Sequence, residues 1–142
     1  MSNDTGGPRI SDADRERVVA VAVDHVRLSY EYLDARNVDA LGSLYAEDMV
    51  RLLPGREPVV GRQQLEKFLL RQFRLHESRH RVDEVIATGG RASVRGQVTG
   101  RLYGGEQFDV TFVDLFGFGG DGLLTAQQTL YFVDILPDGV TP

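Results

Sequence analysis

Four alternating segments punctuated by glycines fill the second half of the chain and constrain its fold more than any other feature. They lie near residues 79–88, 91–103, 107–118 and 122–134, separated by Gly89-Gly90, Gly104-Gly105 and Gly119-Gly120-Asp121-Gly122. Glycine supplies the positive φ that tight hairpin turns demand, so the four segments are expected to pair as antiparallel neighbours in a meander. Alternation is strictest from Phe108 to Phe118, and successive side chains on a strand point to opposite faces. Phe108, Val110, Phe112, Phe116 and Phe118 then share one face. In register with them stands Asp114, the only ionisable group on that aromatic stripe. A buried carboxylate must find donors or stay protonated, and both outcomes are frequent at functional sites. The alternative is a strand-borne Asp satisfied by backbone or water.

The first half has helical periodicity. Ser11-Asp12-Ala13-Asp14 is a capping-type start for a helix running to about Arg36, with Val19, Ala22, Val23, Val26, Tyr30 and Leu33 as its apolar stripe. Asn37 and Asp39 cap a shorter helix through Ala40, Leu41 and Leu44. A strand over Met49–Leu53 closes at Pro54-Gly55, and a third helix after Gly61 is anchored by Leu65, Phe68, Leu69 and Phe73. Helices followed by strands define an α+β domain, here three N-terminal helices packed on a curved antiparallel sheet. That arrangement makes a cone whose open end becomes a pocket unless large inward side chains fill it. Val26, Leu53, Phe68, Val82, Phe112 and Phe116 are its expected lining. The chain's 7 Phe make a plugged cone the competing expectation.

At 142 residues the chain is the size of one domain, expected over 11–136 with flexible tails at 1–10 and 137–142. The absence of cysteine excludes disulfides, thiolate metal sites and a Cys nucleophile. Acidic residues outnumber basic ones by 21 to 16, which disfavours non-specific nucleic-acid binding. Lys67, Arg71, Arg74, Arg79 and Arg81 are interspersed with Glu66 and Glu77 and lack an aromatic platform, as on a solvated face. Neither a signal pattern nor a membrane-length apolar run is present, so a cytoplasmic protein without a membrane partner is expected.

Tyr30 and Asp34 are four residues apart and project from the same helix face. In Ser78-Arg79-His80-Arg81-Val82, alternation turns His80 inward with Val82 and turns Arg79 and Arg81 outward. An inward His beside an inward Asp is a supported general base, because the carboxylate sets the imidazole tautomer. The alternative is a satisfied core histidine and an Asp that only caps the turn into Asn37. His25, on the helix flank, is expected at the surface or an interface, and His76 and Glu77 in a loop. His76, His80 and a carboxylate are a conceivable metal set, but no metal-ligand motif accompanies them. No cofactor is expected.

Leu33-Asp34-Ala35-Arg36-Asn37-Val38-Asp39-Ala40-Leu41, Leu44-Tyr45-Ala46-Glu47-Asp48, Val60-Gly61-Arg62 and Val113-Asp114-Leu115-Phe116 together resemble the nuclear transport factor 2-like superfamily, in particular its SnoaL-like branch. The resemblance spans about residues 12–134. It is specific for the fold and weak for the activity, because the superfamily holds isomerases, dehydratases, cyclases, epoxide hydrolases and binding domains. In its scytalone and bile-acid dehydratases an Asp near the end of the first helix contacts a His on the strand after the third. Asp34 and His80 resemble that pair, and Tyr30 resembles a helix-borne Tyr from which it is displaced by one residue. Asp114 resembles the oxyanion-hole Asp of ketosteroid isomerase, yet that enzyme's base falls near Leu53, which moves no proton. The epoxide hydrolase pattern, an Arg between two carboxylates, finds Arg95 with Gln97 and Thr129 in place of the acids. Cyclases of the branch place an Asp on the last strand, where Gln127, Gln128 and Thr129 offer none.

The resemblance therefore implies a cofactor-independent dehydratase, isomerase or cyclase for an apolar cyclic or polyketide-like small molecule. His80 would be its base, supported by Asp34, with Tyr30 or protonated Asp114 as the hydrogen-bond donor to a developing oxyanion. It also implies a homodimer through the sheet face carrying Arg95, Gln97, Thr99 and Arg101. The rival is a non-catalytic small-molecule-binding or assembly domain, in which Asp34, His80 and Asp114 form a structural polar network.

Overall fold

A computed structural model describes residues 10–132; the expected tails, Ile10 apart, and the end of the last expected strand at 133–134 lie outside that range. Helix α1 (Asp12–Asp34) begins where Ser11 accepts a hydrogen bond from the Asp14 backbone N–H at 3.1 Å. Its Asp12 and Asp14 complement the positive helix start. Ala22, Val26, Ser29 and Tyr30 form its buried face. Arg36, at φ 60°, breaks the helical path, and Asn37 caps the five-residue α2 (Val38–Gly42) by accepting from the Ala40 N–H at 3.1 Å.

The chain then enters β1 (Tyr45–Leu52), four residues before the expected strand start. Leu44 was expected to belong to the helix. Instead the Leu44 carbonyl accepts from Leu124 N–H at 2.9 Å, and Tyr45 is in register with Leu124. The two-residue β2 (Val59–Val60) is too short to display alternation. Gly61, at φ 92°, turns the chain into α3 (Arg62–Leu75), which buries Leu65, Phe68 and Leu69. The meander follows: β3 (His76–Thr88), β4 (Arg91–Leu102), β5 (Gln107–Phe118) and β6 (Leu124–Phe132).

All six strands form one sheet in the order β2-β1-β6-β5-β4-β3. The meander is antiparallel throughout, as the glycine turns require, but β1 runs parallel to β6. The expectation of an all-antiparallel sheet is therefore corrected to a mixed one. Alternation specifies which face a side chain takes and carries no information about which distant strand lies alongside.

On β5 the expected alternation holds: Phe112, Asp114, Phe116 and Phe118 are buried, while Leu115 is exposed. Their rings meet Val26 and Tyr30 of α1 and the buried face of α3 in one core. Each large apolar side chain so buried contributes roughly 1.5–3 kcal/mol. Gly96, in register with Phe112, has a specific packing role, because a Cβ there would lie 2.9 Å from the Phe112 ring. Only a residue without a side chain lets that ring settle onto β4. His25, expected at the surface or an interface, is half-buried, and its Nδ1 lies 2.7 Å from the Gly122 carbonyl. A carbonyl only accepts, so Nδ1–H donates and ties α1 to the β5–β6 turn. Among the described residues no helix is long and apolar enough to cross a membrane.

Candidate functional site

Residues of α1, α3 and the sheet border a cavity of about 550 Å³ that is open on one side. Leu33, Leu53, Phe68, Phe73, Phe108 and Val110 give it apolar walls. Arg51, Gln72, His76, Ser78, His80 and Tyr131 bring polar groups to the same space. Of the expected lining, Leu53 and Phe68 are in place. Val26, Phe112 and Phe116 do not line the cavity but belong to the closed core, and Val82 packs half-buried against that core. Phe112 and Phe116 thus fill the core, while Phe68, Phe73 and Phe108 border the cavity.

His80 and Asp34 meet. Nδ1 of His80 lies 2.6 Å from Asp34 Oδ1, and the His80 backbone N–H donates to Asp34 Oδ2 at 2.8 Å. Both carboxylate oxygens are therefore used on one residue, which fixes ring and strand together. Asp34 is the last residue of α1, and that helix has no basic residue in its last turn. A carboxylate there opposes the helix dipole by roughly 0.3–1 kcal/mol, which the two hydrogen bonds offset. Nδ1 donates to the carboxylate, which leaves Nε2, without a hydrogen bond among the described residues, as the nitrogen available to a ligand.

Tyr30 and Asp114 form a second unit that does not line the cavity. The Tyr30 hydroxyl donates to Asp114 Oδ2 at 2.5 Å, and the Thr129 hydroxyl donates to Oδ1 at 2.5 Å. Asp114 is 3% exposed, and both of its oxygens accept from hydroxyls. Burial and the neighbouring carboxyl hold the Tyr30 phenol far above its ordinary range, so it stays a donor. Its ring lies 5.3 Å from the His80 ring, and Phe112 sits edge-on to His80 at 5.4 Å. These contacts pack the imidazole from behind. Burial likewise pushes Tyr45 up to about 12, opposed by the charge of Arg51, and raises Tyr131.

Most of the lining was not anticipated, His76 and Arg51 among it. His76 opens β3 rather than lying in a loop, and its Nε2 is 3.2 Å from Gln72 Oε1. Burial, with Arg36 and His80 nearby, lowers its pKa. The signal was present, because His76 and Ser78 continue the register of His80 and Val82 backwards. Arg51 is buried on β1, where alternation with Met49 turns it inward. Arg95 and Gln97 face outward and do not meet Thr129, so no Arg/acid arrangement of the epoxide hydrolase kind stands on these positions. Among the described residues no three His, Asp or Glu side chains converge as a metal ion needs.

The family model of the SnoaL-like domain matches residues 26–127. The chain belongs to that family. A search of curated proteins gave no match. Among solved structures, an NTF2-like protein of unknown function from Burkholderia pseudomallei shares 21% identity with a TM-score of 0.73, over 79% of this chain and 91% of that one. A proposed polyketide cyclase from Xanthomonas campestris shares 22% identity with a TM-score of 0.72, covering 79% and 90%. An LEH-like epoxide hydrolase of M. tuberculosis shares 14% identity with a TM-score of 0.73, covering 80% and 84%. At these identities the likeness is one of fold.

Proposed function

We propose that this protein is an acid/base enzyme that needs no cofactor and acts on an apolar cyclic or polyketide-like small molecule, with elimination of water as its first assigned reaction. The observation that carries this reading is the Asp34–His80 pair, whose His80 lines a cavity of ligand size. His80 Nε2 removes a proton beside a carbonyl and, as the imidazolium, returns it to the β-hydroxyl as the C–O bond breaks and water leaves, while Asp34 acts as the positioning residue that sets the tautomer. Dehydration, double-bond migration and ring closure share the resulting enolate, so the same base serves all three. Tyr30 and Asp114 are assigned to support: their mutual bond and burial direct them at each other and at the back of His80.

Cyclic β-hydroxy ketones offered to the full chain test this, with the enone product followed by its ultraviolet absorbance. The reading predicts turnover that His80→Gln abolishes and Asp34→Asn reduces; equal turnover in all three proteins sinks it. Tight binding without turnover favours the rival, a binding domain of the same fold. In either case we assign a homodimer through the outer sheet face. The residues supporting it differ from the polar set around Arg95: Ile86, Leu115 and Leu130 are exposed there at 58%, 43% and 39%. Apolar exposure of that kind on a sheet face marks an interaction surface.

A further inference from the structure

Arg51 is 8% exposed, lines the cavity and is short of partners. A guanidinium stays charged in proteins and carries five N–H donors. Among the described residues its one hydrogen bond is a long one, from Nη2 to Thr129 Oγ1 at 3.4 Å, and Nε is sealed without any. No carboxylate among them forms a salt bridge with it. Asp114 is the nearest acid through the hydrogen bonds, but the Thr129 hydroxyl stands between, and the second oxygen of Asp114 is held by Tyr30. A buried charge left in this condition destabilises the fold by several kcal/mol unless something else completes it.

The permanent charges on the cavity wall have one sign: it is lined by Arg51 and Arg56 and by no Asp or Glu, in a chain whose net charge is −5. Arg56 reaches it over the Phe68 ring, 5.6 Å from the centroid. Positive charge is concentrated where the surface is apolar and aromatic, and where the low dielectric strengthens it. In the strand order β1 and β3 lie four positions apart, so Arg51 and His80 approach the space from different sides.

We propose that the cavity selects apolar ligands bearing an anionic oxygen, a carboxylate or an enolate, which Arg51 receives across the cavity from His80. This rests on the cavity being the ligand site of the proposed function and adds the class of ligand. Planar forked donors suit a carboxylate directly. An enolate presents one such oxygen, and a fixed cation beside it stabilises the charge that proton removal creates.

Calorimetric titration of the full chain with 2-naphthoate, 2-naphthamide and 2-hydroxy-1,4-naphthoquinone tests the assignment, the first being a carboxylate, the last an enolate at neutral pH and the amide a neutral control. Wild type is expected to bind at least one anion about tenfold more tightly than the amide, or ~1.4 kcal/mol. Arg51→Met is expected to bring the ratio within about twofold and Arg51→Lys to keep part of it, as loss of a forked cation predicts. A preference for both anions, or for one alone, supports the proposal and identifies the oxygen. Equal binding of all three, no binding, or a preference that survives in a folded Arg51→Met overturns it. Should that variant not fold, the wild-type ratio and Arg51→Lys decide. Absence of turnover on hydroxy ketones leaves this ratio unaffected, so the two readings fail separately.

Discussion

Asp34 grips His80 at two points, the ring through Nδ1 at 2.6 Å and the backbone N–H at 2.8 Å, so a helix end and an edge strand share one carboxylate. Rotating the imidazole away from the cavity would require breaking the ring contact while the backbone bond still holds the strand.

Asp34→Asn keeps the shape and can leave His80 in the other tautomer. Turnover is expected to fall by roughly 10²-fold or more, with KM changed far less, since the base and not the binding surface is affected. Steady-state kinetics measure this; a loss confined to KM would assign Asp34 to binding.

Tyr30→Phe removes a donor from a carboxyl group that is 3% exposed. A loss of about 1–3 kcal/mol in urea unfolding is expected, the penalty of an unsatisfied buried acceptor. Thr129→Val should cost a similar amount by exposing the other oxygen and removing the acceptor of Arg51. Because both act on one carboxyl, the double variant is expected to depart from additivity.

His76 is held below its ordinary value of 6.5, chiefly by burial and then by Arg36 and His80. The unfolded chain therefore takes up this proton first as the pH drops. The stability contributed by neutral His76 is complete above about 6.5 and declines below it until the folded-state value is passed. Urea midpoints measured from pH 7.5 downward should show this slope in wild type and a flatter one in His76→Gln.

Leu115→Glu and Ile86→Lys place charges on the outer sheet face, away from the cavity. Sedimentation velocity is expected to report a dimer for wild type and a monomer for the pair of substitutions, with the fold retained by circular dichroism. A wild-type monomer across micromolar concentrations removes the interface assignment.

How far these features are visible in the residues themselves depends on the range of the physics involved. The glycine turns and the β5 alternation are local, and they announced the meander and the inward Asp114 correctly. The approach of Asp34 to His80 was suggested by family likeness and face assignment; its distance depends on how α1 lies across β3, which no spacing encodes. Arg51 and His76 were legible in principle, each continuing an alternation already noted, but a short run beside a helix end gives alternation little length to show itself. The parallel alignment of β1 with β6 had no local signal at all.

That alignment also bears on how the molecule is made. β1 leaves the ribosome early, yet its long partner is β6, the last strand described, so β1 can only bridge to β2 until nearly the whole chain has emerged. Loop closure over such a separation is slow, and pairing of this kind belongs to the late steps of folding. Arg51 rides on that strand. The charged side of the cavity is therefore completed only when β6 docks beside β1.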